Sequence, residues 1–527
     1  MSRSWETLVV LVAALAGLAG LVRLMPAYLT LQGFPLDDAW VHAVYARSLT
    51  EAGLLAFNPG IPAPGITSPL WAALLALLRL LAPDPETLVL ASKLAGFALH
   101  AGAAVLVLRS LSAAGAAVPE RLLGAGLVAL HPDLIAGSVS GVEIPLAALA
   151  GCALLWAAQH ERPWRYAAVS LLVPAVRPDL VVLSCAIPLA VIGGADRARL
   201  ARFVGAAVAA SLLPLVLLLG RDLALVGSLL PVVPPAAVET SLVDAQVLGF
   251  GRLLGQVPVT DSSFLVLLAA AAAVWCLWQG TAPGRLPAAA LLVGLGFCVV
   301  SFALFPPAPP STATGAFTVA DQRYVLAALP LIVGTLPAVL RRGAAPLLAP
   351  RTLFVLRCAL AALLVVSLAV HAPRRYMHLA NDAQAVDDLQ VSAGRSLRAV
   401  APGDAVWAVF PGAIRYFGNG HVVDLSGARS PEVRGPGAAS FLSAHPPRFI
   451  EIVPGRTEVD PEARRRMKGM RFQTRTRDTW TGSVEQVEQW LALCADETVA
   501  GHIRVDHQVL PFRCARGVGP AGPAPSR

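Results

Sequence analysis

Residues 34–71 read FPLDDAWVHAVYARSLTEAGLLAFNPGIPAPGITSPLW and contain, near their start, two adjacent carboxylates, Asp37 and Asp38. An apolar run at 7–25 precedes this stretch, and another apolar run at 87–108 follows it. Apolar runs of about 20 residues match the roughly 30 Å hydrocarbon core of a bilayer. The stretch is therefore predicted to be a loop between two membrane-spanning helices. We expect it to carry an amphipathic helix over 39–52 and then a turn-rich return to the membrane surface.

The composition of the 527 residues agrees with this interpretation. The chain is 56% hydrophobic and only 14% charged, with a mean hydropathy of +0.65. A soluble domain averages roughly 25% charged residues, so a soluble enzyme and a disordered chain are both excluded. The net charge is +8, but no basic stripe with interleaved aromatic residues is present, which argues against nucleic-acid binding. The sequence predicts a polytopic membrane protein.

The apolar runs predict about eleven membrane-spanning helices, each near the length that a bilayer needs. The predicted spans are 7–25, 87–108, 121–136, 142–158, 166–176, 178–192, 202–219, 263–279, 288–305, 323–340 and 352–370. The apolar run at 70–81 is too short to span, and we expect it to lie along the outer surface. With the N-terminus in the cytoplasm, most loop arginines then fall inside, as the positive-inside rule requires. This topology places the first loop (26–86) and the tail outside.

The composition changes after residue 370. Short apolar stretches at 405–410, 421–425 and 448–453 are typical of strands, and 461–470 and 484–493 are typical of helices. The predicted fold class is an all-α polytopic membrane domain (1–370) followed by an extracytoplasmic α/β domain (371–515). The Gly/Pro/Ala-rich end, 516–527, is expected to be disordered. Cys494 and Cys514 would be the disulfide candidates if this domain faces an oxidising compartment.

Asp37 and Asp38 are the first candidate site residues. An aspartate at this place could simply cap the helix that follows, which would account for one of the two. Carboxylates at the mouth of a membrane are costly and usually functional, so we expect a catalytic or metal-binding role for at least one. A divalent cation at the Asp37/Asp38 pair is left open.

This loop resembles the first extracytoplasmic loop of the GT-C glycosyltransferases that use polyprenyl-phosphate sugars. It is most similar to the branch of the mycobacterial terminal arabinofuranosyltransferase. The residues of the loop that match are Asp37, Asp38, Ala39, Trp40, Tyr45, Ala46, Arg47, Phe57, Asn58, Pro59, Gly60, Thr67, Ser68, Pro69, Leu70 and Trp71. Further matches, in the same order as in the family, are the segments 140–143, 177–179, 323–324, 412–417 and 423–427. The segment 63–66 departs from the pattern, which leaves the sugar and the acceptor open.

The resemblance implies a GT-C type fold and a sugar transfer from a lipid phosphate. Asp38 or Asp37 would be the general base, and arginines would hold the donor phosphate. The phosphate candidates are Arg177 and Arg323, and the substrate-binding candidates are Glu143, Asp179, His42, Asn58, Thr67 and Asp321.

Each of these residues also has a purely structural interpretation. Glu143 could cap a helix, Arg177 and Asp179 could form an ion pair at a helix break, and Arg323 could extend its head group to the interface. A lone histidine such as His42 is more often packed than reactive. Trp71 is expected to anchor the loop at the membrane interface.

The predicted function is an inverting glycosyltransferase of the bacterial plasma membrane. It would move a pentose or hexose from a polyprenyl-phosphate donor to an envelope glycan, lipid or protein. The main alternative is a transporter or flippase of lipid-linked sugars, although no internal repeat of the kind that transporters carry is visible. A non-catalytic scaffold is a third interpretation. The sequence leaves the sugar, the acceptor, the metal requirement and the oligomeric state open.

Overall fold

The structure is a computed structural model of the whole chain. It describes residues 4–24, 33–160, 162–192, 196–226, 282–304, 319–344, 350–399, 402–408 and 410–424, with short pieces at 270–277, 428–451 and 500–513. The described helices are α1 (Ser4–Leu24), α2 (Asp37–Ala52), α3 (Pro69–Leu81), α4 (Pro85–Ala113), α5 (Val118–Leu130), α6 (Pro132–Ser138), α7 (Ile144–Ala158), α8 (Pro163–Val176), α9 (Val181–Ile192), α10 (Arg197–Val226), α11 (Ala282–Leu304), α12 (Val319–Ala344), α13 (Pro350–Val386), α14 (Ser392–Ser396) and α15 (Pro411–Phe417). The strands are β1 (Ala56–Asn58), β2 (Ile61–Pro62), β3 (Ala405–Ala408), β4 (His421–Asp424), β5 (Pro447–Glu451), β6 (Ala500–Val505) and β7 (Gln508–Arg513).

The chain is a multi-pass membrane protein. Within the described residues, four helices are long and apolar enough to cross a membrane: Ser4–Arg23, Pro85–Ala113, Arg197–Leu225 and Val325–Arg342. Shorter apolar helices, among them α7, lie beside them. A helix lies at ten of the eleven predicted spans, and most of the remaining span, 263–279, falls outside the described residues. The number of crossings and the side of each terminus stay predictions.

One predicted span is interrupted. The expected helix over 121–136 is two helices, since α5 ends at Leu130 and α6 begins at Pro132. A proline lacks the backbone N–H that a continuous helix needs and is favoured in a first turn. His131 lies between the two helices, and its ring accepts a hydrogen bond from the Asp133 backbone N–H at 3.2 Å. The apolar pattern therefore located this segment without revealing the break.

Helix α12 lies at the centre of the helical bundle and α10 at its edge. In the apolar window of α12, 89% of the residues are buried, whereas the corresponding share of α10 is 17%. Gly124 of α5 lies directly against the backbone of Gly334 in α12, where a Cβ atom would not fit. Small residues let membrane helices approach this closely. Several leucines of α10 are exposed on the surface of the bundle, as expected for side chains that contact lipid.

The described part of the first loop, residues 33–86, packs together around helices α2 and α3. Helix α2 packs against α3, and Arg79 of α3 forms an ion pair with Glu51 of α2 at 2.7 Å. Trp71 is fully buried and donates a hydrogen bond from its indole N–H to the Gly141 carbonyl at 2.9 Å. The expectation that Trp71 anchors the loop at the membrane interface is thus wrong. Its ring fastens α3 to the turn before α7 instead.

The tail contains a five-stranded sheet in the order β4-β3-β5-β6-β7. The first four strands run parallel, and β7 pairs with β6 in antiparallel fashion. Three of these strands lie where the sequence predicts them. The expected helices at 461–470 and 484–493, Cys494, Cys514 and the end 516–527 all lie outside the described residues. The α/β domain as a whole therefore stays a prediction.

Candidate active site

Asp37 and Asp38 occupy the first turn of α2. The residue before the helix is Leu36, which has an extended backbone and offers no side-chain cap. Asp38 is therefore inside the helix and is not its capping residue, which removes the simplest structural interpretation of this side chain. Carboxylates in a first helical turn are favoured by the helix dipole. The two neighbouring side chains nevertheless have different partners.

Asp38 lies between two guanidinium groups. Its Oδ2 is 3.0 Å from Nη1 of Arg323, and its Oδ1 is 3.5 Å from Nη2 of Arg429. The side chain of Asp38 is 37% exposed and that of Arg323 is 28% exposed, whereas Arg429 is largely buried. These residues come from the first loop, the start of α12 and the tail. An accessible carboxylate flanked by two cations is therefore built from three distant stretches of the chain.

Arg429 is the site residue that the sequence analysis missed. It follows the segment 423–427, and Asp424 at the end of β4 holds it in place. The buried Asp424 carboxylate accepts a hydrogen bond from the Arg429 backbone N–H at 3.0 Å and lies 3.4 Å from its Nη1. The sequence did contain a signal for this residue, because an aspartate at the end of a predicted strand is followed by an arginine five residues later.

The two guanidinium groups set the charge of Asp38. Burial alone would raise the pKa of Asp38, but Arg323, Arg429 and the His42 ring together lower it below its ordinary value of 3.8. Opposite charges within a few ångströms favour the ionised form. Asp38 is therefore a carboxylate throughout the neutral pH range.

Asp37 has a different environment. Its Oδ2 and Oδ1 accept hydrogen bonds from the backbone N–H groups of Gly412 and Ala413, at 2.7 and 2.8 Å. Burial raises the pKa of Asp37 to about 7, even though the two backbone donors act in the opposite direction. Both carboxyl oxygens of Asp37 thus face the backbone of α15.

Arg177 and Asp179 form a bidentate ion pair at the break between α8 and α9. Arg177 donates to Asp179 from Nε at 3.0 Å and from Nη2 at 2.6 Å. A third donor, Nη1, bonds the backbone carbonyl of Arg323 at 2.9 Å. The Arg177 side chain is only 3% exposed, and the contacts match the ion-pair interpretation. Its predicted contact with the donor phosphate stays a prediction.

His42, Thr67 and Glu143 meet beside Asp38. Nε2 of His42 is 3.2 Å from Oε2 of Glu143 and 3.5 Å from Oγ1 of Thr67. Glu143 lies in the turn before α7, and its side chain is buried. Three predicted substrate residues, two from the loop and one from the turn before α7, are therefore brought together.

Asn58 and Asp321 complete the predicted set. Both polar atoms of the Asn58 amide bond the backbone of Val422, each at 2.9 Å, so that the side chain of Asn58 joins β1 to β4. The structure gives Asn58 a docking contact, and its predicted contact with substrate is untested. Asp321 lies in the first turn of α12, two residues before Arg323, and its side chain lies outside what the structure describes.

The side chains do not fit a divalent cation at the aspartate pair. Asp38 faces two guanidinium groups, which would repel a cation, and Asp37 faces two backbone N–H groups. Within the described part of the chain, no group of three or more His, Cys, Asp or Glu residues could hold a metal ion. The chemistry proposed below therefore uses no metal at Asp37 and Asp38.

Comparisons with known proteins give distant likenesses in structure. No family model matches the sequence, and no curated protein matches it. The oligosaccharyltransferase of Archaeoglobus fulgidus in its apo form is 12% identical, with a TM-score of 0.49 over 84% of this chain and 67% of that chain. The same enzyme, AglB, in complex with an inhibitory peptide and a dolichol-phosphate is 14% identical, with a TM-score of 0.46 over the same shares.

A third solved structure, ArnT from Cupriavidus metallidurans in the apo state, is 14% identical, with a TM-score of 0.44. That likeness covers 81% of this chain and 90% of the ArnT chain. All three TM-scores lie below 0.5, so these likenesses assign neither a family nor a function to this chain, and none of the three structures is an arabinofuranosyltransferase.

Proposed function

We propose that this chain is an integral-membrane glycosyltransferase that takes a sugar from a polyprenyl-phosphate donor. The acceptor is a glycan, lipid or protein of the cell envelope, on the extracytoplasmic face. The observation that carries the proposal is the meeting of Asp38, Arg323 and Arg429 at one end of the membrane helices. A reaction between a lipid-held donor and a water-soluble acceptor needs accessible charged groups at that position.

Asp38 is the general base. Its carboxylate removes the proton from the acceptor hydroxyl as the hydroxyl oxygen forms a bond to the anomeric carbon of the sugar. The bond between the anomeric carbon and the phosphate oxygen breaks, and its electron pair leaves with the polyprenyl phosphate. A positioned carboxylate of this kind contributes about 10²- to 10⁴-fold to a rate.

Arg323 holds the departing phosphate. A guanidinium group has five N–H donors in a planar fork, which suits an anion with several oxygens. Binding of the donor phosphate would draw the guanidinium groups away from Asp38 and make that carboxylate more basic when it is needed. Arg177, which bonds the Arg323 carbonyl, holds the start of α12 in place for this contact.

Glu143, His42 and Thr67 bind the sugar. Glu143 and Thr67 come from different segments and meet at the His42 ring, on the helix turn that follows Asp38. An ionised carboxylate and a hydroxyl are strong partners for sugar hydroxyl groups. Asp179 and Asp321 are further candidates for sugar binding. Asp179 would act through its ion pair with Arg177. Which sugar and which acceptor are used is left to experiment.

The direct test is a panel of polyprenyl-phosphate-linked pentoses and hexoses, incubated with the purified full-length chain and an envelope extract as acceptor. We expect one donor to be consumed with release of polyprenyl phosphate, and we expect the Asp38→Asn variant to leave it intact. Movement of the lipid-linked sugar across a vesicle bilayer without consumption would identify a flippase and overturn the proposal. A panel that is neither consumed nor moved would also overturn it.

A further inference from the structure

Helix α15 of the tail is held at both ends by helix α2 of the first loop. At its start, the N–H groups of Gly412 and Ala413 bond the Asp37 carboxyl at 2.7 and 2.8 Å. At its end, the carbonyls of Arg415 and Tyr416 accept from Arg47, at 3.1 and 2.6 Å. We call this pair of contacts, made by Asp37 and Arg47, the two-ended cap.

The two-ended cap supplies hydrogen-bond partners for backbone groups at both ends of α15. The first N–H groups and the last carbonyls of any helix lack partners within the helix, and buried groups of this kind are costly if left unmet. Every residue of α15 is buried, and Phe410 before it supplies no side-chain cap. The carboxyl lies at the positive end of the helix dipole and the guanidinium at the negative end, which is the favourable arrangement.

The fit between the two helices is close. A Cβ atom on Gly412 would overlap the backbone of Asp37 and come within 2.8 Å of the Val41 nitrogen. Trp40 of α2 packs against Tyr416 and Phe417, with ring centroids 5.0 and 4.8 Å apart. The contact is thus a tight, specific one, and a larger residue at 412 would disturb it.

The segment that α15 begins also delivers Arg429 to Asp38. After α15 the chain forms β4, whose Val422 bonds Asn58, and then reaches Asp424 and Arg429. Gly65 of the first loop lies directly against the Ala428 carbonyl, one residue before Arg429. The position of Arg429 relative to Asp38 therefore depends on how the tail docks on the loop.

We propose that Asp37 and Arg47 are positioning residues, which cap α15 at both ends and so hold Arg429 of the tail against Asp38. Asp37, although adjacent to the base, does not touch the reacting atoms. This inference rests on the proposed function for the role of Asp38, but the docking of α15 is independent of that function. Two readouts are therefore needed, one without substrate and one with it.

The first readout is amide hydrogen exchange, followed by mass spectrometry, in the peptide that spans 411–417 of the full-length chain in detergent micelles. Asp37→Asn places an amide donor against one of the two backbone N–H groups and so removes a buried hydrogen bond, and we expect exchange in that peptide to rise about tenfold or more. Arg47→Gln should raise it from the other end. Asp38→Asn is the matched control, and we expect it to leave this peptide unchanged.

The second readout is the rate of sugar transfer from the polyprenyl-phosphate donor found in the panel above. We expect Asp37→Asn, Arg47→Gln and Gly412→Ala each to lower kcat about 3- to 30-fold and to leave KM for the donor near that of the parent chain, a smaller loss than that of the base. The double variant Asp37→Asn/Gly412→Ala should be no worse than the poorer single variant, because both disturb one contact.

Two results would overturn the proposal. One is unchanged exchange at 411–417 in monodisperse Asp37→Asn and Arg47→Gln proteins. The other is an Asp37→Asn variant as inactive as Asp38→Asn beside a fully active Gly412→Ala, which would make Asp37 a catalytic residue. If the parent chain transfers no sugar from any donor, the proposed function fails, and the exchange experiment still decides whether the two-ended cap exists.

Discussion

Asp37 and Asp38 are neighbours in sequence, but their surroundings differ in almost every physical respect. Asp37 is buried against backbone N–H groups of the tail, and its pKa is raised to about 7. Asp38 is partly exposed between two guanidinium groups, and its pKa is lowered. A repeated acidic residue therefore does not mean a repeated role. These different environments are the basis of our proposals that Asp38 takes part in the chemistry and that Asp37 takes part in the assembly of the site.

The largest difference should appear when Asp38 is changed. Asp38→Asn removes the base but keeps the size of the side chain, and we expect the rate of sugar transfer to fall about 10²- to 10⁴-fold. The measurement is the initial rate with the polyprenyl-phosphate donor. Asp84→Asn, at the exposed start of α4, is the control and should keep the parent rate. Equal rates for the parent chain and Asp38→Asn would show that Asp38 is not the general base.

The next effect in size concerns the donor phosphate. Arg323→Gln removes a cation while keeping some hydrogen-bonding capacity, and we expect KM for the donor to rise about 10- to 100-fold. Arg165→Gln, in the first turn of α8 and at the end of that helix predicted to face the cytoplasm, is the control and should leave KM unchanged. Steady-state kinetics against donor concentration separates the two parameters. An unchanged KM for Arg323→Gln would place the phosphate elsewhere.

A smaller effect should follow from loosening the strand contact between the loop and the tail. Asn58→Ala leaves the buried N–H and carbonyl of Val422 without partners, which costs about 1–3 kcal/mol. We expect a lower midpoint of thermal unfolding, together with faster amide exchange in 421–424. Asn419→Ala, whose exposed side chain bonds only the Arg398 carbonyl among the described contacts, is the matched control. Equal shifts for the two variants would mean that Asn58 has no special docking role.

The smallest effect is the pH dependence that distinguishes the two aspartates. The folded chain raises the pKa of Asp37 from 3.8 to about 7, so the stability from its neutral form is lost as pH rises through about 7. Between pH 6 and pH 8 this amounts to about 1 kcal/mol, seen as a falling midpoint of thermal unfolding. Asp37→Asn should remove that slope. Asp38→Asn removes only a neighbouring charge that adds to this rise in pKa, and should leave most of the slope in place. A slope that is lost with Asp38→Asn and kept with Asp37→Asn would assign the titration to Asp38 instead.

The helical part of the fold was largely predictable from the sequence. Long apolar runs locate membrane helices because a bilayer requires them, and the short run at 70–81 is a helix of 13 residues, too short to span. Its position along the outer surface stays a prediction. The break at His131 and Pro132 was missed because proline and glycine are common in such runs. The role of Trp71 was predicted wrongly because the sequence does not reveal whether the indole N–H has a buried carbonyl as its hydrogen-bond partner.

The site was predictable only in part. Arginine placement already put Asp38 and Arg323 on one face of the membrane, and the structure joins them at 3.0 Å. Arg429 was not predicted because it lies far along the chain from Asp38, in a stretch that is interrupted by glycine and proline and has no helical or strand periodicity. Asn58 was expected to bind substrate, and its bonds to the Val422 backbone depend on tertiary docking, which no local pattern encodes.

The most direct test of the central claim is a double-mutant cycle on Asp38 and Arg429, read as the rate of sugar transfer in the full-length chain. When two residues act through one shared contact, removing the second after the first costs little more, so the free-energy changes of the two single variants do not add in the double variant. We expect Asp38→Asn/Arg429→Gln to be no slower than Asp38→Asn alone. If the two losses multiply as for independent residues, Arg429 and Asp38 do not share a site.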